Sequence, residues 1–160
     1  MNRFPTHQVT KADIRDDAVL TLVWKALRTL TTRDDFLLEH DASERSITHR
    51  LGVYLGDQFP QYDVDCEYNR RGKDGAPKRI VTQASPGKCV FPDVIVHRRG
   101  IDRENLISIE VKKNTSIGMD ADWAREKLHA FADEDNFRFQ YCLLVTVRIG
   151  EAPGFEVERV

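Results

Sequence analysis

The chain has 160 residues, 41% of them hydrophobic and 31% charged, with a net charge of −2. That is the balance of one ordinary globular domain with room for a buried core. No apolar run approaches the ~18 residues of a membrane-spanning helix, and the N-terminal MNRFPTHQVTKADIRDD lacks the apolar centre of a secretion signal, so a cytoplasmic protein with no membrane partner is expected. The three cysteines are widely spaced, with no CxxC pair, which argues against a disulfide framework or a zinc site. Cys66 and Cys142 fall in apolar strand patterns and are expected in the core.

The charge is unevenly placed. Residues 67–103 hold nine Lys and Arg against four Asp and Glu, a net of +5, whereas 1–66 carry −3 and 104–160 carry −4. A local basic patch attracts phosphate backbone even on an acidic protein; the ordinary alternative is a solvated loop. In chain order, residues 11–31 place Ile14, Ala18, Leu22, Val23, Ala26, Leu27 and Leu30 at helical spacing and predict one long amphipathic helix. RDDFLLEHD adds a short turn. DASERSITHRLGVYLGDQFP predicts a second helix with Ile47, Leu51, Tyr54 and Leu55 as its apolar stripe. Asp41 and Glu44 fit a loose capping box at its start, and Gly56 and Pro60 lie near its end.

YDVDCEYNR alternates as a strand with Val64, Cys66 and Tyr68 on one face. RRGKDGAPKR is a loop or hairpin connection. KCVFPDVIVHRR and NLISIEVKKN predict the second and third strands. DADWAREKLHAFADED predicts a third helix with Trp123, Ala124, Leu128 and Phe131 on one side, and Trp24 and Trp123 are assigned to the core. RFQYCLLVTVRI is a continuous apolar run, the mark of a strand buried on both faces. The predicted order is α-α-β-β-β-α-β: an α/β protein with a mixed central sheet flanked by helices. It forms a single domain over residues 1–160, with an N-terminal helical extension over 1–40 and a core over 41–150.

Charged residues inside half-buried strands cost free energy unless they are paired or used. Alternation in the third strand puts Leu106, Ser108, Glu110 and Lys112 on one face and Ile107, Ile109 and Val111 on the other. Glu110 and Lys112 therefore point the same way, ~7 Å apart along the strand. If the second and third strands pair as a hairpin around RRGIDRE, Asp93 comes beside Glu110. Two carboxylates so close repel, and one of them tends to hold a proton. A hard divalent cation such as Mg²⁺ removes that penalty, because it takes one or two carboxylates plus waters and a phosphate. An ammonium at Lys112 would then hold a water in line with a phosphodiester and stabilise charge building on the phosphate. Lys113 falls on the opposite face. Glu44 shares the apolar side of its helix and so points inward; a capping or dipole role in the first turn is the alternative to a place in the site.

Pro92-Asp93 on one strand, Glu110-Val111-Lys112 on the next and an inward Glu44 on the preceding helix together resemble the PD-(D/E)XK nuclease superfamily. The resemblance covers residues 41 to 147, about two thirds of the chain, and implies that family's restriction-endonuclease-like αβββαβ core. It further implies Mg²⁺-dependent hydrolysis of phosphodiester bonds, with Mn²⁺ able to substitute. Asp93 and Glu110, with Glu44, would hold the metal, and Lys112 would act on the water. The expected substrate is DNA rather than RNA, and a homodimer suits two-strand cutting. The alternative is a catalytically silent, nuclease-like module that binds nucleic acid or a protein partner. The interval of 16 residues between Asp93 and Glu110 is compatible with a variable hairpin.

Other residues carry weaker signals. Glu67 is a surface acid or a further ligand. His97 shares the Asp93 face but lies ~13 Å along the strand, which suits a structural or substrate-contacting role. His49 falls on the other side of its helix from Glu44. Arg70, Arg71, Lys73, Lys78, Arg79 and Lys88 are the expected phosphate contacts. Ser108 and Gln83 have no motif support. No Gly-rich phosphate loop, GxSxG or Cys-His signature occurs, which argues against an NTPase or covalent catalysis.

Overall fold

A computed structural model describes residues 5–80, 87–116, 118–133, 135 and 137–160; Gln83 lies outside them. The strands are β1 His7–Gln8, β2 Asp63–Cys66, β3 Arg70–Arg71, β4 Ala76–Pro77, β5 Arg79–Ile80, β6 Lys88–Cys89, β7 Val94–His97, β8 Ile107–Lys113, β9 Tyr141–Arg148 and β10 Gly154–Arg159. The helices are α1 Lys11–Asp16, α2 Ala18–Arg33, α3 Asp35–Glu39, α4 Glu44–Gln58 and α5 Met119–Ala132. Among the described residues the main sheet has six strands in the order β1-β10-β9-β8-β7-β2, and β3-β4 and β5-β6 form separate two-stranded ribbons. Among the described residues only β8 and β9 pair in parallel. Parallel neighbours need a long crossover, and α5 supplies it. The protein is therefore α/β with a mixed sheet, as its hydrophobic pattern predicts.

Alternation along the strands feeds two cores. Val94, Val96, Ile107, Ile109, Val111, Leu143 and Val145 pack with Leu27 and Leu30 of α2 and Leu51 and Leu55 of α4. On the other face Ile95, Cys142 and Leu144 pack with Ala124, Leu128 and Phe131 of α5. β9 is buried over most of its length, as a central strand covered on both faces must be. Leu106 departs from its predicted face: it precedes β8 and joins the α2–α4 core.

The predicted helix over 11–31 is two helices. Asp17 is extended (φ −126°, ψ 116°) and caps α2. Its carboxylate accepts from the N–H groups of Val19 and Leu20 at 2.9 and 3.0 Å and from the Tyr141 hydroxyl at 2.7 Å. α1 has its own capping box, Thr10 with Asp13. A cap of this kind satisfies the free N–H groups of a helix start, and here it outweighs an uninterrupted apolar periodicity. The cap of α4 is Ser43, which accepts from Ser46, and not Asp41 with Glu44; Asp41 sits at φ +52°.

The helices of the predicted N-terminal extension do not stand clear of the core: α2 supplies five buried side chains to it. Nor does the sheet end at residue 150: β10 pairs with β9 and β1 with β10. The first predicted strand stops at Cys66, where Glu67 turns at φ +52°. Its neighbour divides into β6 and β7, separated by Val90-Phe91-Pro92-Asp93. Cys142 is buried as expected, but Cys66 is exposed; its thiol faces α4, 2.8 Å from where a side chain on Gly52 would begin. The tryptophans are only partly buried. Trp24 meets Phe155 edge-on at 4.5 Å, and Trp123 lies beneath the Lys88 ammonium at 4.7 Å. No helix among the described residues is long and apolar enough to cross a membrane.

Candidate functional site

Strand register brings the two acids together. β7 and β8 pair with Val94 opposite Ile109, so Asp93 and Glu110 stand one step further out. Asp93 Oδ2 accepts from the Val111 N–H at 2.8 Å, which anchors it to β8. Glu110 lies in the middle of β8 and is 1% exposed. Its Oε2 is 2.7 Å from the ammonium of Lys127 on α5. Its Oε1 is buried without a hydrogen-bond partner, as is Ser108 Oγ two residues earlier.

The surroundings set the charge states. Burial raises the Glu110 pKa to about 8, and the negative charge of Asp93 adds to the rise; the Lys127 and Lys112 ammonium groups oppose it without overcoming it. Burial also raises Asp93, against Lys127, the Val111 N–H and Lys112. One of the two carboxyls thus holds a proton near neutral pH, as expected for adjacent acids in a dry site.

Lys112 and Glu44 form the rim. The Lys112 ammonium is 3.1 Å from Glu44 Oε2. Burial would lower its pKa, but the bond to Glu44 and the charges of Asp93, Glu44 and Glu110 raise it, so it stays a cation. Burial likewise works against the Glu44 carboxylate, yet the Lys113 N–H, the Ser116 hydroxyl and the Lys112 ammonium hold it below the usual carboxylate range. The Lys113 N–H and Ser116 Oγ donate to Glu44 Oε1 at 3.2 and 2.9 Å. Glu44 points inward as predicted, but its oxygens are engaged by donors. Lys113 is not remote from this corner, since its ammonium bridges to Asp41 at 2.7 Å. Among the described residues no three His, Cys, Asp or Glu side chains converge as a metal-binding group; of the three predicted ligands, Asp93 and Glu110 form a pair, and the oxygens of Glu44 are engaged by donors, although its charge still adds to the rise at Asp93.

A cleft of about 270 Å³ opens beside Asp93, with Glu44, Arg45, His49, Cys66 and Glu67 along its other walls; Glu110 lies behind Asp93 and does not line it. Glu67 lies on this rim and ion-pairs with Arg45 at 3.2 Å. His49 lines the same cleft as Glu44, contrary to its assignment to the far side of α4. His97 is structural: it is 3% exposed, and its Nε2 sits 2.8 Å from Asp65.

The predicted phosphate contacts divide. Arg70, Lys73, Arg79 and Lys88 are exposed. Arg71 is half-buried, paired with Asp102 at 3.3 Å and stacked 4.8 Å from the Phe137 ring. Lys78 is not a surface cation at all. It is 2% exposed, its ammonium donates to the Arg70 carbonyl and lies 4.6 Å over the Tyr68 ring, and burial lowers its pKa to about 8.

Sequence reading missed Lys127, the group that engages Glu110. The signal was present, because Lys127 falls on the same helical side as Ala124, Leu128 and Phe131, where an apolar residue belongs. Comparison of the chain with protein-family models, with curated proteins and with solved structures gave no match.

Proposed function

We propose that the protein is a divalent-metal-dependent nuclease acting on DNA, with a restriction-endonuclease-like core running from α4 through β2, β7, β8 and α5 to β9. The observation that carries this reading is the Asp93–Glu110 pair: two acids set side by side by strand register, one of them 1% exposed with an oxygen lacking any partner. A buried polar atom left unsatisfied costs about 1–3 kcal/mol, and a bound ion is one of the partners that would offset that cost. Two carboxylates suit a hard ion that brings its own waters. Asp93 and Glu110 would hold Mg²⁺ or Mn²⁺, which when bound would polarise a phosphodiester and lower the pKa of a bound water.

The remaining roles follow from charge. Lys112 remains an ammonium beside the pair and would position the water and the scissile phosphate. Glu44 orients Lys112 across 3.1 Å and is a positioning residue rather than a ligand. Arg70, Lys73, Arg79 and Lys88 would supply general contacts to the backbone, the exposed part of a basic segment.

A second reading is favoured by a different observation. Glu110 already has an ammonium partner in Lys127, Glu44 has three donors, and no three-ligand group is assembled among the described residues. On that basis the same surface would be a silent module that binds nucleic acid or a protein without cutting. One assay separates the two. Purified protein is incubated with linear, single-stranded, nicked and branched DNA and with RNA, in Mg²⁺, Mn²⁺ or EDTA, with folded Lys112→Ala as control. Metal-dependent cutting lost in the variant establishes the nuclease. Binding in EDTA with no cutting of any substrate establishes the module.

A further inference from the structure

We propose that Lys127 is a built-in competitor for the metal: its ammonium neutralises the Asp93–Glu110 pair in the free protein and keeps a divalent cation weakly bound there. The inference rests on the reading of that pair as a metal site.

The geometry is specific. α5 packs on the sheet through Ala124, Leu128 and Phe131, and Lys127 emerges from that apolar face rather than from the solvated one. Lys127 is 8% exposed overall, so its stem is buried with its neighbours and its ammonium has little access to water. The ammonium has two fixed partners, Glu110 Oε2 at 2.7 Å and the Phe91 carbonyl at 3.1 Å. Glu110 sits on β8 between β7 and β9, and Phe91 lies between buried Val90 and buried Pro92. Neither partner is free to follow the ammonium elsewhere.

A lysine is rarely buried without a purpose that its charge serves. Here the charge stands where a cation is wanted. The ion pair occupies Oε2 and leaves Oε1 as the buried, unpartnered oxygen of Glu110. An ion using Oε1 and Asp93 would therefore lie a few ångströms from a fixed positive charge, a repulsion poorly screened in a dry site. A phosphodiester brings the negative charge that offsets this repulsion. Metal and nucleic acid should then bind together more readily than either binds alone.

The test is calorimetric titration of Mn²⁺ into the full chain without nucleic acid. Three forms are compared at one pH: wild type, Lys127→Met, which keeps the length of the stem, and Lys127→Arg, which keeps the charge. The expected result is weak binding by wild type and by Lys127→Arg, and binding about tenfold tighter or more by Lys127→Met, because a like charge beside the ion has gone. If Lys127→Met does not fold, as judged by circular dichroism, Lys127→Gln replaces it with the same expectation. Equal or weaker binding by the neutral variants, or no binding by any form, overturns the proposal and makes Lys127 a structural ion-pair partner only. The two readings fail separately. Tightened binding in a protein that cuts nothing leaves this inference standing without the nuclease; metal-dependent cutting without tightened binding does the reverse.

Discussion

Two charged clusters sit on the same face of β7, and they are built in opposite ways. Beside β2, Asp65 meets His97 at 2.8 Å and Arg99 at 2.8 and 2.5 Å, while Asp63 receives the Arg99 N–H at 3.0 Å. Burial pushes the Asp65 carboxyl up, but the bonds from Arg99 and His97 outweigh it and hold the acid below its ordinary range. At the other end of the strand, Asp93 and Glu110 are pushed up, and one oxygen of Glu110 has no partner. The first cluster is a closed network in which each charge has its complement, and such networks hold a structure. The second has acids in excess of their donors, and acids perturbed in this way cluster at functional sites, although structural ion pairs produce them too. Charge in a strand therefore says little by itself; whether that charge is satisfied separates scaffold from site.

That contrast can be broken or sharpened by substitution. The largest effect is expected from Lys112→Ala, which on the proposed nuclease reading should lower metal-dependent cleavage by about 10²–10³-fold, the scale of losing one positioned electrostatic group, with the melting temperature little changed. Asp65→Ala should leave cleavage within a fewfold of wild type. Comparable losses in both variants would erase the distinction between the clusters.

Next is the pH dependence of metal-free stability. Glu110 titrates at about 8 in the folded chain against 4.5 as a free side chain, so the folded state binds the proton more tightly. The stability contributed by this group is complete below 4.5 and is lost as pH rises toward 8, because the unfolded chain sheds its proton first. Glu110→Gln should remove that slope and be more stable than wild type at pH 8 by about 2–4 kcal/mol, measured by urea unfolding in EDTA. A variant less stable than wild type there would mean that the Glu110–Lys127 pair is a structural ion pair like its counterpart beside β2.

Asp65→Ala should act in the opposite sense. It should cost about 2–3 kcal/mol near neutral pH, since it leaves His97 and Arg99 without their acceptor. The smallest effect concerns the basic segment. Lys73→Ala should weaken nucleic-acid binding modestly and reduce its salt slope by about one phosphate contact. Lys78→Met should leave that slope unchanged, because the Lys78 ammonium is already committed to Arg70 and Tyr68.

Much of the site was legible because it depends on local rules. Alternation fixed the facing of Ser108, Glu110 and Lys112, and a hairpin sufficed to bring Asp93 to Glu110. Three features were not legible in this way. The break at Asp17 preserves the apolar spacing on either side, so periodicity runs through it. β10 has Phe155 and Val157 as its only aromatic or β-branched members, and its pairing with β9 and β1 is a matter of topology rather than pattern. The anchoring of Glu44 by Lys113 and Ser116 joins residues about 70 positions apart, beyond any spacing rule. Lys127 was passed over and Lys78 was assigned to phosphate contacts for a common reason: a lysine is ordinarily counted as surface, and only the depth of its ammonium corrects that.

The bond from the Lys113 N–H to Glu44 has a consequence for how this corner tolerates change. The donor belongs to the backbone, and every amino acid except proline supplies it. One of the ties that place α4 over the end of β8 is thus encoded in the course of the chain and not in a side chain. A substitution at 113 other than proline therefore keeps the tie to Glu44 and gives up only the second one, the Lys113 ammonium on Asp41 and the Ala42 carbonyl just before α4.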